Sequence, residues 1–439
     1  MSMKTMFLFL LLALGIFLVG LAVWQQQPPL PETTLVKNEI ILPKGAGEYM
    51  EVRHIVVKGT NEEIGRVLGD IARKDFGSGL SRYASPLYGR ERQKYMKNNY
   101  PILLDRMTGV AGSYGLVPGD GNYDTSSLQY GIGPAACSLV YFPGNVTTDG
   151  QARYSRNMDY FIVTPAEVFG NANAGSDEKL CSKNYVLELY PDSGYPSIVI
   201  GSFDLLNAPL DGMNSQGVTV SMLVDNDAAQ TTVTDSSRAA GLSTFQAMHL
   251  VIDTATDVDA AKRIILANNV TMLSVPLHML IADRSGRSFI AEMSDEDFQW
   301  HFTDNVDKSQ ILTNHAVYKY PDTGTFPSIP ATDEYNSFNR YRKLDAYITG
   351  HKGQFTEDDA LNSMSLVKAN TDLAMEGGSR PLPMRTVWTS VFDLEDRSAK
   401  VSFYLKDGKK DPEKNPSGLV FSPQFTFRLD RDKISINKG

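Results

Sequence analysis

The sequence predicts an α+β protein in which β-sheets pack face to face beneath covering helices. Three observations carry this. Apolar runs of strand length, rich in aromatic and β-branched residues, crowd the chain from Cys137 onward: LVYF, ARYSRNMDYFIV, YVLELY, PSIVIGSF and GVTVSMLV. Helical patterns are grouped, at about 242–268, 336–348 and 357–368, rather than alternating with single strands. Two later stretches, HMLIADRSGRSFIAEMS and TVWTSVFDLEDRSAKVSFYL, read as hairpins, the second turning at Glu395 to Ser398.

The elements before Cys137 follow a different plan. Phe7 to Trp24 is an uncharged apolar run behind Lys4. It is longer than the ~7–15 residues of a secretory core and shorter than the ~20 of a membrane span. Residues 1–32 therefore read as a signal peptide or signal anchor, with Gln25 to Glu32 as a Pro-rich tether. The expected location is outside the cytoplasm, either membrane-anchored or secreted and periplasmic. No cysteine follows the run, so no lipid anchor is expected. RHIVVKGTNEEIGRVLGDIARKDF is a strand, a turn at Gly59 and a helix, capped by Thr60 or Asn61 with Glu62 and Glu63 in its first turn.

Composition removes whole classes of function. A net charge of -9 without a basic run excludes nucleic acid as a partner. The six histidines are scattered, and none pairs with another His or a Cys at metal-ligand spacing. Neither a metal nor a cofactor is expected.

The chemistry centres on PAACSLVYFP, residues 134–143, which holds one of only two cysteines. Its thiol could be packing, half of a disulfide with Cys181, or a nucleophile. Four further stretches are polar where a strand or helix core should be apolar. YSRNMDYF places Arg156 and Asp159 inside a β run, and LDGMNSQGVTV places Asn214 before a turn at Gly217. ILTNHAVY ends an apolar run with Asn314 and His315, and NSFNRYRKL puts Arg340 and Arg342 on a helix. Singly, each has an ordinary reading as a surface ion pair, a turn residue, a strand-end cap or a solvated helix face.

In order, they resemble the isopenicillin-N acyltransferase family and its relatives, the penicillin V acylases and choloylglycine hydrolases. These are cysteine N-terminal-nucleophile hydrolases of linear amides. The resemblance runs from about His54 to about Tyr404, and TNH and NSFNRYRKL are its most specific stretches. It implies a four-layer α/β/β/α sandwich of two antiparallel sheets between helix layers. It also implies self-cleavage of the Ala136–Cys137 bond, leaving residues 33–136 as a prosegment and 137–439 as the catalytic chain. A freed α-amine, with a reference pKa near ~7.7–8.0, is suited to accept the thiol proton. By the same resemblance Asp159 holds that amine, Arg156 orients Asp159 and stabilises the thiolate, Asn314 donates to the oxyanion, and Arg340 completes the charge network. Asn214 is a weaker oxyanion candidate, and His315 and Cys181 are structural.

The implied reaction is hydrolysis of a small-molecule linear amide through an acyl-thioester on Cys137. The apolar residues Tyr141, Phe142, Tyr160 and Phe161 near the nucleophile suggest a pocket for an apolar acyl group, or core packing. Two alternatives within enzymes are acyl transfer to an amine and a ceramidase-type lipid amidase. An anchored, non-catalytic binding protein on the same fold is the alternative of another class. The implied partners are the substrate, the chain's own prosegment and the membrane.

Overall fold

The computed structural model describes residues 34–429 apart from 84, 129–134, 170–177, 204, 207–208, 229–239, 272–275, 295, 297–298, 331–332, 334 and 375–379. The predicted signal segment and the whole of the tether lie outside these residues. Among the described residues no helix is long and apolar enough to cross a membrane.

The chain opens with β1 (Leu35–Leu42), β2 (Glu51–Gly59), α1 (Asn61–Asp75), β3 (Leu80–Arg82), α2 (Pro86–Asn99), α3 (Pro101–Ser113) and β4 (Tyr123–Leu128). It continues through β5 (Ala136–Phe142), β6 (Arg153–Phe161), α4 (Pro165–Phe169), β7 (Lys183–Pro191), β8 (Ser197–Ser202), β9 (Pro209–Asn214) and β10 (Thr219–Val224). Next come β11 (Leu242–Ser243), α5 (Thr244–Thr254), α6 (Val258–Ala267), β12 (Val270–Thr271), β13 (Leu277–Ala282), β14 (Arg287–Met293), β15 (Trp300–Val306) and β16 (Gln310–Leu312). The last stretch holds α7 (Ser337–Gly350), α8 (Glu357–Ser365), β17 (Asn370–Leu373), β18 (Leu382–Asp393), β19 (Ser398–Asp407), β20 (Leu419–Phe421) and β21 (Phe425–Arg428).

Two large sheets form the centre. One runs β1-β2-β7-β8-β9-β10-β13-β14-β15, and the other β16-β5-β6-β18-β19-β20 with β17 and β21 attached. Their facing side chains interdigitate: Tyr141 and Tyr154 of the second sheet donate to the Asp283 and Leu280 carbonyls of the first, at 2.7 and 2.8 Å. Helices α1, α5 and α6 cover the first sheet, and α7 and α8 the second. The architecture is the expected four-layer sandwich. One point differs from the expectation of antiparallel sheets: β2 pairs β7 in parallel along its whole length. That pairing adds β1 and β2, both from before Cys137, to one end of the sheet.

The segment before Cys137 is thus part of the core. Thr60 caps α1 in a full capping box with Glu63. Burial of Ile64, Val67, Leu68, Ile71 and Ala72 seats α1 in the main hydrophobic core. Its crossing with α3 is close because glycines line it: a Cβ on Gly109 would lie 1.8 Å from the Glu62 carbonyl oxygen. Buried Arg106 of α3 makes a two-pronged pair with Asp253 of α5, both bonds at 2.9 Å.

Candidate active site

Cys137 is the second residue of β5, fully buried. In the β5–β6 register Ala136 faces Asp159 and Cys137 faces Met158. Facing residues share a side of the sheet and successive residues alternate. Cys137, Met158 and Arg156 therefore point between the two sheets. Ala136, Ser138 and Asp159 point the other way, toward α7 and α8.

On the inner side, Arg156 Nη2 donates to Cys137 Sγ at 3.0 Å, and the thiol lies 3.6 Å from Met158 Sδ. The guanidinium also donates to the Leu210 and Met222 carbonyls, both at 2.9 Å, and pairs with buried Asp211. Asp211 in turn accepts from Trp388 Nε1 at 2.8 Å and Ser221 Oγ at 2.6 Å. Burial works against the Arg156 cation, and Asp211 more than offsets this, so its pKa rises. Burial pushes the Cys137 thiol up, against the pull of Arg156. The expected contact between Arg156 and the Asp159 carboxylate is corrected here. Three residues apart on one strand, the two side chains leave opposite faces, and Arg156 pairs with Asp211 instead.

On the outer side, Asp159 accepts from Thr386 Oγ1 at 2.5 Å and from the Tyr335 hydroxyl. Burial raises its carboxyl above the usual range, while Arg340 and the two hydroxyls hold it down. Arg340, from the first turn of α7, donates to the Cys137 carbonyl, to Ser138 Oγ at 2.8 Å and to Asn314 Oδ1 at 2.7 Å. Its guanidinium also lies 4.8 Å from the centre of the Tyr335 ring. Asn314 Oδ1 accepts the Cys137 backbone N–H at 2.9 Å, and Nδ2 donates to the Val224 carbonyl at 2.7 Å. Cys137, Asp159, Arg156, Asn314 and Arg340 thus converge on the Ala136–Cys137 peptide.

Other expected participants lie elsewhere. Asn214 is saturated at the β9–β10 turn, where Nδ2 donates to the Ile252 and Ala255 carbonyls and Oδ1 accepts from Gln216 and Val218. The structure does not bring it to the cysteine. Tyr141, Phe142, Tyr160 and Phe161 are fully buried in the packed core, as the core-packing reading expects. His315 stacks on Phe338 at 4.3 Å, its pKa pushed down to about 3 by burial. Arg342 bonds Asn339 and Pro327, away from the site. Both cysteines are free thiols, which removes the disulfide.

Residues 144–356 match the family model described as linear amide C-N hydrolases, choloylglycine hydrolase family. That stretch is similar to a linear amide C-N hydrolase domain. This is one of the relatives named by the sequence resemblance, and the match does not single out the isopenicillin-N acyltransferase branch. Among solved structures, the conjugated bile acid hydrolase from Clostridium perfringens is 15% identical with a TM-score of 0.45, covering 67% of this chain and 97% of that one. Penicillin V acylase from Agrobacterium tumefaciens is 17% identical with a TM-score of 0.42, covering 61% and 82%. No curated protein matches the chain.

Several site residues had no sequence motif to announce them. Tyr335 and Thr386 hold Asp159, and Asp211 balances Arg156. A lone Tyr or Thr carries no sequence signal, but DGM in LDGMNSQ was visible as an acid inside a strand. Tyr335 and Arg340 also wall a cavity of about 440 Å³ with Lys343, Lys368 and Lys410, against the single acid Asp333. The Lys368 ammonium lies 3.8 Å from the centre of the Phe421 ring, and burial lowers its pKa to about 8.

Proposed function

We propose that the protein is a self-processing cysteine hydrolase of linear amides, with Cys137 as nucleophile. What carries this reading is the convergence of Arg156, Asn314, Arg340 and Asp159 on one peptide bond. In processing, Cys137 Sγ attacks the Ala136 carbonyl carbon and the peptide nitrogen leaves as the Cys137 amine, giving a thioester. Water then adds to the thioester, releasing the Ala136 carboxylate and the thiol. In turnover, the freed amine takes the thiol proton, the thiolate attacks the substrate carbonyl, and the leaving amine departs protonated. Water hydrolyses the acyl-thioester.

The contacts support a part for each side chain. Arg156 is the cation at the sulfur and favours the thiolate against burial. An amide nitrogen has two hydrogens. Asn314 spends one on Val224 and keeps the other for the oxyanion, while Arg340 fixes its orientation through Oδ1. Asp159, beside Ala136 in register, holds the new amine. The prosegment stays bound after the cut, because β2, α1 and α3 are built into the core. The apolar run at Phe7 to Trp24 would export this assembly or anchor it.

The test is the mass of purified protein. Native protein should run as one species, and denaturant should split it into two chains, the larger starting at Cys137. A single intact chain under denaturing conditions removes self-processing. Asn314→Ala should lower turnover of processed enzyme by roughly 10²–10³-fold, as expected for one oxyanion donor. Full activity in that variant would mean that the oxyanion hole lies elsewhere.

The lysine-lined cavity bears on the substrate. Four cations against one acid favour an amide carrying a carboxylate. Lys368→Met should raise KM for N-acylglycines roughly 10-fold, with kcat kept and N-acyl ethylamines unaffected, since a charged hydrogen bond is worth ~1.5–3 kcal/mol. The Lys368 ammonium is charged below about 8. KM for the carboxylate series should therefore rise as pH climbs through that value. Equal effects on both series would remove this role.

A further inference from the structure

Directly behind Asn314 lies a buried ionic cluster that the chemistry above does not use. His278 on β13 is fully buried and both ring nitrogens face acceptors. Nδ1 lies 3.0 Å from Glu292 Oε1, and Nε2 lies 2.8 Å from the Thr313 carbonyl. A carbonyl only accepts, so Nε2 carries a hydrogen, and a carboxylate opposite Nδ1 favours a second one. Asp225, just past the end of β10, adds another buried carboxylate, and the polar atoms of the three side chains lie within 4.8 Å of one another.

Such a trio could hold a metal ion, but the hydrogen bonds describe a cluster already complete without one. Glu292 accepts the backbone N–H groups of Val317 and Tyr318 at 2.8 and 2.9 Å. Asp225 Oδ1 accepts those of Asp227 and Ala228 at 3.0 and 3.4 Å. The separation of Nδ1 from Oε1 is that of a direct hydrogen bond. Burial alone would lower the pKa of the ring, but Glu292 and Asp225 outweigh it and the net direction is up. The other ionisable groups close by are Asp227, which takes the Ala316 N–H at 2.8 Å, and His315, neutral in its aromatic stack.

Each member of the cluster bonds backbone within four residues of Asn314 or of the strand end that Asn314 bonds. Thr313 precedes it. Asp225 follows Val224, whose carbonyl takes the Asn314 side-chain amide, and Asn226 N–H donates to the Asn314 carbonyl at 2.8 Å. Glu292 holds the chain two and three residues after His315. We infer that His278, as an imidazolium joining Glu292 to the Thr313 carbonyl with Asp225 close by, is a positioning residue that sets Asn314 against the Cys137 N–H. This rests on the reading of Asn314 given above. His278 touches neither the thiol nor the scissile bond.

The experiment uses self-processing of the full chain in cell-free translation, which needs no identified substrate. His278→Gln keeps one donor and removes the charge. It should slow processing by roughly 10²-fold, the scale of a small misplacement of a reacting group. The wild-type rate should fall as pH rises through the elevated pKa of His278, because the bridging cation is then lost, and the variant should lack that limb. In the double variant with Asn314→Ala, the loss should be no larger than for Asn314→Ala alone, as expected of groups acting through one another. Additive losses, or an unchanged pH limb, would overturn the inference. For a readout independent of variant folding, ¹⁵N-histidine spectra of the wild type should show both His278 nitrogens protonated at neutral pH, and a neutral ring there also overturns it. Failure of processing in every variant, wild type included, would instead indict the nucleophile.

Discussion

Cys137→Ala is expected to yield one intact chain and no amide hydrolysis, while Cys181→Ala is processed and active like the parent. The loss should be on the order of 10⁴-fold or more, because the variant lacks the atom that bonds to the acyl group and not merely a stabilising contact. The contrast between the two thiols is what makes the pair informative. Both are buried, and burial pushes both above the ordinary thiol range. They differ in their company: Cys137 has Arg156 at 3.0 Å and its backbone held by Asn314 and Arg340. Cys181 sits in a turn ahead of β7 with a left-handed backbone, φ 55°. A merely structural thiol would predict small, similar losses at both positions. Intact-mass measurement of each variant, with amine release from an N-acyl amide, decides between these outcomes.

The acids and amides of the site were legible because they stand where strands want apolar residues. RNMD inside β6, TNH after β16 and the arginine at the start of α7 broke their local patterns, and those breaks converge in space. What the pattern could not give was partnership. Period-two alternation already places Arg156 and Asp159 on opposite faces of β6, so the Asp211 partner of Arg156 had to come from the other sheet. That contact depends on how two sheets stack, which no single strand encodes. Asn214 broke its pattern as strongly as Asn314 did, yet it serves a turn, since an asparagine that saturates four backbone groups looks the same in sequence as one that meets a nucleophile. The helices α2 and α3 went unread for a different reason: α2 is largely polar, and its start depends on Ser85 and Pro86 rather than on an apolar stripe. The parallel insertion of β2 beside β7 joins segments more than a hundred residues apart, beyond the reach of local propensity.

Arg156→Met should be the most destabilising substitution in the site, costing about 3–5 kcal/mol in urea unfolding. The arginine leaves behind Asp211, fully buried, with only Trp388 and Ser221 to satisfy a carboxylate that had a guanidinium against it. An uncompensated buried charge, rather than lost packing, sets that cost, because methionine fills much of the same volume. The double variant Arg156→Met with Asp211→Asn should therefore recover most of the stability. Processing should not recover with it. The sulfur would still lack its cation, and burial alone would keep the Cys137 thiol protonated. Arg156→Lys should fall between, retaining the charge but not the fork that reaches Asp211, Met222 and the sulfur together. If the double variant regains both stability and self-cleavage, Arg156 serves the fold and not the nucleophile. If it regains neither, the Arg156–Asp211 pair is not the origin of the cost. Only recovery of the fold without the chemistry agrees with a guanidinium that balances one buried charge while inviting another on the thiol.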